Sequence, residues 1–197
     1  AAPGPDGVPA MMLKRGKRTI CRILCQIFKT SFDSGRLPDL LKSSYIIPIH
    51  KGESKAEPSN YRNVSLTSHL IKTFERVLVK PLVKYLESNG WMDAKQHGGR
   101  AGRSTLSQLI LHHDQILQAM EEGSNIDAIY LDFAKAFDKV DHGLLLHKLK
   151  QMGVKGKLGR WIQNLLKGRT NEVDDQKSLK FLLKSGIPQG SVDQFFS

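Results

Sequence analysis

Residues 126–138 read Ile-Asp-Ala-Ile-Tyr-Leu-Asp-Phe-Ala-Lys-Ala-Phe-Asp, an apolar run that carries an acid at its end. The run from Ile126 to Phe133 has the length and composition of a buried strand. Asp132 therefore stands at the end of a predicted strand, where an ionised carboxylate needs a partner. Mg²⁺ is one such partner, because it takes hard oxygen ligands, commonly one or two carboxylates. In the alternative, structural interpretation, Asp132 caps the next helix or pairs with Lys135 or Lys139.

Two further acids, Asp138 and Asp141, follow this run. They lie too far along the chain to share the strand end with Asp132, so we expect them to cap the helix that begins near His142. The remaining C-terminal elements are predicted from apolar spacing as helices at about 142–152 and 157–168 and weak strands near 170–175 and 178–184.

The N-terminal half opens with turn chemistry from Pro3 to Pro9. Apolar spacing then predicts a helix over 10–32, a strand over 44–49, a helix over 68–88 that Pro81 kinks or splits, and a helix from the N-cap Ser104 to about Glu122. Cys21 and Cys25 fall on one face of the first helix, where we expect them to fill the core. Their spacing excludes a disulfide framework and favours a reducing compartment.

The amino-acid composition limits the classes of protein to which this chain can belong. The 197 residues are 40% hydrophobic and 25% charged, which is typical of one globular domain or two small subdomains. No apolar stretch approaches the roughly 20 residues of a membrane-spanning helix. The seven histidines show no ligand spacing with cysteines or acids, so a zinc site is not expected.

The charge balance is the first functional indication. Thirty Lys and Arg residues stand against 19 acids, a formal net charge of +11 that is spread along the whole chain. Such an excess suits a polyanionic partner, where neutralisation of phosphates supplies affinity. The alternative is a basic protein whose cations are simply solvated.

Five segments, in order, resemble the reverse transcriptase domain of non-LTR (LINE-type) retrotransposons. They cover nearly the whole chain and are Ile46–Gly52, Asn60–Thr67, the glycine-rich basic loop Gln96–Thr105, Tyr130–His142 and Gly186–Val192.

The resemblance implies an α+β fold with the fingers–palm–thumb architecture of a right-hand polymerase. Residues 1–110 would form a helix-rich fingers region, and 111–197 part of a palm with a small mixed or antiparallel sheet. A fingers insertion could lie near 151–185. The implied activity is template-directed DNA synthesis on an RNA template from a DNA primer and dNTPs, with two Mg²⁺ ions, or Mn²⁺ in their place, inside the cell in nucleus and cytoplasm.

The resemblance also assigns roles to individual residues. Asp132 matches the first metal-binding aspartate, and the Phe133 carbonyl a second ligand. Phe137 matches the bulky residue that excludes a ribose 2′-hydroxyl. The other matched positions are Lys51 and Arg62, which hold the triphosphate, and Gln189 and Gly190, which pack against the nucleotide and template base. Arg100 and Arg103 are our candidate phosphate contacts; for all four cations, the alternative is a solvated surface charge.

The family pattern continues beyond Val192 with a hairpin that bears paired aspartates, whereas this sequence reads Asp-Gln-Phe-Phe-Ser. We therefore expect a truncated polymerase that lacks the thumb and the rest of the palm, with negligible activity alone and apolar surface left bare. Two other hypotheses remain: a non-catalytic basic nucleic-acid-binding remnant, and a structural helical adaptor.

Overall fold

A computed structural model describes residues 2–52, 54–173 and 180–187. Within these ranges the helices are α1 (Ala10–Arg15), α2 (Lys17–Ser34), α3 (His69–Ser88), α4 (Thr105–Glu121), α5 (His142–Gln151) and α6 (Gly156–Leu166). The strands are β1 (Ser43–His50), β2 (Tyr61–Thr67), β3 (Thr170–Val173) and β4 (Phe181–Leu182), and short 3-10 helices cover Asp39–Lys42 and Pro58–Asn60. Across the described ranges, none of the helices has the length and apolar character to cross a bilayer.

The four strands form one sheet in the order β2-β1-β3-β4. β1 pairs antiparallel with β2, from Ser44 opposite Thr67 to His50 opposite Tyr61. On its other side β1 pairs in parallel with β3, and β3 pairs antiparallel with β4. The predicted combination of helices with a small mixed sheet is therefore confirmed.

The core lies where α2, α3, α5 and α6 meet. The ring of Phe74 stacks on Phe28 with centroids 4.3 Å apart and meets Trp161 edge-on at 4.7 Å. Trp161 is almost fully buried, and its indole N–H donates to the Ser31 hydroxyl over 3.2 Å. Burying each of these large side chains contributes about 1.5–3 kcal/mol, so this cluster fixes the arrangement of the helices.

The predicted helix starts are confirmed where a side chain caps them. Ser104 caps α4 in a reciprocal arrangement with Ser107, and the Asp141 carboxylate accepts the Leu144 N–H at 2.7 Å to cap α5. Asp138 does not cap this helix, because it lies three residues before the cap position; its carbonyl oxygen accepts from Ser185 instead.

Three expectations about the N-terminal half need correction. The helix predicted over 10–32 is two helices, because Gly16 ends α1 and precedes α2. Pro81 lies inside a single continuous α3 and does not split it, so of the two expected effects of this proline only a kink stays a prediction. Cys21 and Cys25 share a face, with sulfur atoms 4.0 Å apart, but that face is exposed because Phe28 and Phe32 fill the core side of α2.

The strand predicted over Ile126–Phe133 is wrong for this structure. Residues 124–133 form neither helix nor strand, and Ile129, Leu131 and Phe133 are each more than 80% exposed. A strand needs a neighbour to satisfy its backbone N–H and C=O groups. None of the four described strands pairs with this segment.

Candidate functional site

Lys51 and Arg62 come together at the end of the β1–β2 hairpin. Arg62 lies opposite Ile49 in the register, and the Lys51 N–H donates to the Asn60 carbonyl at 2.8 Å, which extends the ladder by one step. Side chains alternate between faces along a strand, so Lys51 shares a face with Ile49 and Arg62. Both cations are exposed. The hairpin thus places two positive charges as diagonal neighbours on one surface, where they can meet a polyphosphate.

Asp132 lies in the exposed segment 124–133 described above. Its carboxylate accepts the N–H of Phe133 at 2.9 Å, and its other surroundings are open to solvent. The side chain of Tyr130 links the same segment to α4, because its hydroxyl lies 2.9 Å from the Nε2 atom of His112. The sequence gave no indication of this contact between Tyr130 and His112.

Phe137 has a more anchored position than Asp132. Its side chain packs against the core, and its carbonyl accepts the Ile187 N–H at 3.0 Å. The Gly186 N–H donates to Val140 at 2.9 Å, and the Gly186 carbonyl lies 2.7 Å from His142 Nε2. A Cβ on Gly186 would lie 2.9 Å from a carbonyl oxygen and would require a left-handed φ of 82°, so glycine permits this approach. The segments Tyr130–His142 and Gly186–Val192, which the resemblance singled out, are therefore in contact through Phe137, Val140 and the residues Gly186 and Ile187.

Gln189 and Gly190, which follow directly on this contact, lie outside the described residues.

Arg100 and Arg103 hold the glycine-rich loop in place. Arg100 pairs with Glu87 at 3.1 Å and donates to the Asp93 carbonyl at 2.9 Å, with only 14% of its side chain exposed. Arg103 donates to the Ala94 carbonyl. Both guanidinium groups therefore already have partners within the chain. Their role as phosphate contacts stays a prediction, and the sequence gave no sign of these internal partners.

Comparison with known families decides the relationship. The family described as reverse transcriptase (RNA-dependent DNA polymerase) matches residues 49–193, which include Asp132, Phe137 and Arg62. The chain belongs to the reverse transcriptase family. Lys51 lies within the same matched range, so both cations of the hairpin end are part of the family segment.

Curated relatives identify the branch of the reverse transcriptase family. Three proteins of Drosophila melanogaster each match 97% of this chain over 194 residues: the RNA-directed DNA polymerase from mobile element jockey (32% identical) and those named as probable RNA-directed DNA polymerases from transposons X-element (32%) and BS (30%). These relatives belong to non-LTR retrotransposons, which confirms the resemblance. The chain spans about a fifth of their length (21%).

Reverse transcriptases generally use divalent metal ions. The Asp132 carboxylate and the Phe133 carbonyl are hard oxygen donors, so they suit Mg²⁺ in kind. Two ligands are too few to hold a metal ion pair. Among the described residues, no group of three or more His, Cys, Asp or Glu side chains lies close enough together to bind a metal. This part of the chain can supply ligands but does not complete a two-ion site.

Proposed function

We propose that this chain is the fingers and the first part of the palm of a LINE-type RNA-directed DNA polymerase, which acts on an RNA template, a DNA primer and dNTPs. The observation that carries the proposal is the family match over 49–193, which covers the Asp132 segment. The pairing of β3 with β1 supports this assignment of fingers and palm. It joins residues 170–173 to the β1–β2 hairpin of the fingers, as expected if residues near 151–185 are an insertion that belongs to the fingers.

On the nucleotide side, Lys51 and Arg62 hold the triphosphate. Transfer of a phosphoryl group depends mainly on positioning and charge neutralisation, and two cations on one hairpin face supply both. Phe137 excludes the 2′-hydroxyl of a ribonucleotide, and its bonded backbone and packed ring support that role. Gln189 and Gly190 contact the nucleotide and the template base.

On the metal side, Asp132 and the Phe133 carbonyl are the ligands that this chain contributes. Bound Mg²⁺ stabilises negative charge on the reacting phosphate and lowers the pKa of an attacking hydroxyl. A single carboxylate cannot hold two ions as a fixed pair. Since the described residues hold no complete metal site, we expect no magnesium-dependent primer extension from the 197-residue chain by itself.

A chimera tests the proposed activity. The matching segment of the jockey polymerase is replaced by this chain, and RNA-templated DNA synthesis is measured. We expect synthesis by the chimera and a loss of about 100-fold or more with Asp132→Asn, because a metal ligand contributes several kcal/mol to lowering the barrier. Asp127→Asn, in the same exposed segment, is the matched control and keeps its activity. Equal activity of the two variants would contradict the role of Asp132.

The second candidate is a non-catalytic nucleic-acid-binding remnant, which is favoured because the described residues hold no group of three or more side chains able to bind a metal. It shares RNA binding with the polymerase but predicts an inactive chimera. For both candidates, RNA affinity falls as salt rises from about 50 to about 200 mM, and Arg62→Ala reduces that dependence. Salt-independent binding would instead support the structural adaptor.

A further inference from the structure

A cavity of about 510 Å³ opens between α5 and α6, away from the residues assigned above. The turn between the helices is fixed by the Val154 N–H, which donates to the Leu149 carbonyl at 2.9 Å. Gly159 lets α6 lie close to this turn, because an added Cβ would be 3.2 Å from the Val154 carbonyl oxygen. Four apolar residues among those described line the cavity. Leu149, Val154 and Ile162 are each at least nine-tenths buried and form a floor, and Leu146 beside them is partly exposed.

The rim of this cavity is cationic. Lys150, Lys155 and Arg160 line it together with His147, and none of the described residues that line it is acidic. Among the described residues, no carboxylate lies within ion-pair distance of these side chains, whereas Lys157 on the same helix is paired with Asp33 at 2.6 Å. Three positive charges thus line the opening without a counter-charge from the part of the chain that the structure describes.

An apolar floor inside a cationic rim matches a ligand that joins a phosphate to a flat apolar ring. The volume lies within the range of small-molecule sites. The N-cap of α6, Lys155, makes no side-chain hydrogen bond to the first turn, so the helix start adds positive potential at the rim. Nucleoside phosphates combine both chemical features, whereas inorganic phosphate lacks the ring.

We propose that this cavity binds a nucleoside phosphate as one unit of an RNA strand, with the phosphate among Lys150, Lys155 and Arg160 and the base on the floor. That the ligand is an RNA strand and not a free nucleotide rests on the proposed function. That the ligand contains a nucleoside and a phosphate rests only on the apolar floor and the cationic rim of the cavity.

Replacing the three cations of the rim by alanine tests whether they bind phosphate. Binding of a fluorescent oligouridylate of about ten nucleotides is measured by anisotropy at several salt concentrations. The variant Lys150→Ala/Lys155→Ala/Arg160→Ala should bind at least about tenfold more weakly, and its salt slope should fall by about 0.7, since these three side chains hold one phosphate and each neutralised phosphate on a single strand contributes about 0.7. The control Arg76→Ala/Lys80→Ala/Lys84→Ala removes the same charges from an exposed face of α3 and should change the slope by less. Equal losses in the two variants would overturn the proposal.

Nuclear magnetic resonance separates the sources of phosphate. The backbone N–H signals of Gly156 and Gly159, both at the cavity, are followed during titration with inorganic phosphate, uridine monophosphate and the oligouridylate. We expect shifts with all three probes and the tightest binding for the strand. Equal affinity for the monophosphate and the strand would assign the site to a free nucleotide, and unmoved signals with every probe would overturn the site.

The two proposals fail in different ways. A wild-type chain that binds no oligouridylate while uridine monophosphate shifts Gly156 and Gly159 contradicts the RNA-binding function and keeps the nucleotide site. Strong oligouridylate binding with unmoved glycine signals keeps the function and refutes the cavity.

Discussion

Gly4 lies against the backbone at the point where β2 ends and α3 begins. A Cβ on Gly4 would come within 2.6 Å of the Ser68 nitrogen and 2.8 Å of the Thr67 carbonyl carbon. The neighbouring Asp6 carboxylate accepts from the hydroxyl of the fully buried Ser68, which also caps α3. The N-terminal turn is therefore part of the packed structure.

We expect Gly4→Ala to destabilise the chain. Backbone atoms cannot move aside as a flexible side chain would, so overpacking here should lower the free energy of unfolding by about 1–3 kcal/mol. Urea unfolding followed by circular dichroism measures this change. Gly98→Ala is the control, because nothing lies within 4 Å of its added Cβ. Equal effects of the two substitutions would show that the turn is not packed as described.

The two cysteines show what sequence can and cannot establish for single residues. Helical spacing correctly placed Cys21 and Cys25 on one face. It could not choose which face is buried, because apolar residues lie on both sides of α2: Phe28 packs on the core, while Ile23 and Ile27 are exposed. The same limit applies to Arg100, whose partner Glu87 lies on a different element.

At the scale of elements, an ion pair joins α2 to α6. The Lys157 ammonium donates to the Asp33 carboxylate at 2.6 Å. This hydrogen bond and the charge of Lys157 lower the pKa of Asp33 from its ordinary value of 3.8, with a smaller contribution from Lys29. Both partners of the pair are exposed, so the stabilisation is modest and is screened by salt.

We expect Asp33→Asn to lower stability slightly at neutral pH and not in acid. A carboxyl whose pKa is lower in the folded state stabilises the fold above its unfolded pKa, and this contribution is lost as pH falls through the folded value. The difference in urea midpoint between wild type and Asp33→Asn should therefore shrink below about pH 4. In a Lys157→Gln background, Asp33→Asn should have little effect at any pH. A constant difference across pH would contradict the pair.

Helices could be predicted from the sequence where residues next to each other in the chain determine where the helix begins. Ser104 and Asp141 marked the starts of α4 and α5 because a cap needs only its own first turn. β2 was not predicted as a strand, since its buried positions are the polar Ser65 and Thr67. The closeness of Lys51 and Arg62 depends on the register of this hairpin, which the sequence alone did not provide.

At the scale of the molecule, a large apolar surface remains exposed. No residue of α4 is buried, and Leu106, Leu109 and Met120 are each more than 60% exposed. The segment 124–133 adds further exposed apolar side chains. This surface agrees with the expectation of bare apolar area, and such area promotes association.

We expect chymotrypsin to cleave first within the segment 124–133. Tyr130, Leu131 and Phe133 are 79–88% exposed in a backbone without strand pairing, whereas Tyr85 lies in a helix. Mass spectrometry of the early fragments identifies the bond. A variant with serine at positions 130, 131 and 133 is the control and should lose the early cut. First cleavage elsewhere would show that the segment is protected, as a strand would be.

The parallel pairing of β1 with β3 also governs the order of events during synthesis. Ser43 and Thr170 are partners separated by 127 residues. A ribosome that adds about 5–20 residues per second needs about 6–25 seconds to make that interval. The β1–β2 hairpin therefore leaves the ribosome with one edge of β1 open, and nascent chains on a crowded polysome can pair there with each other before β3 is made.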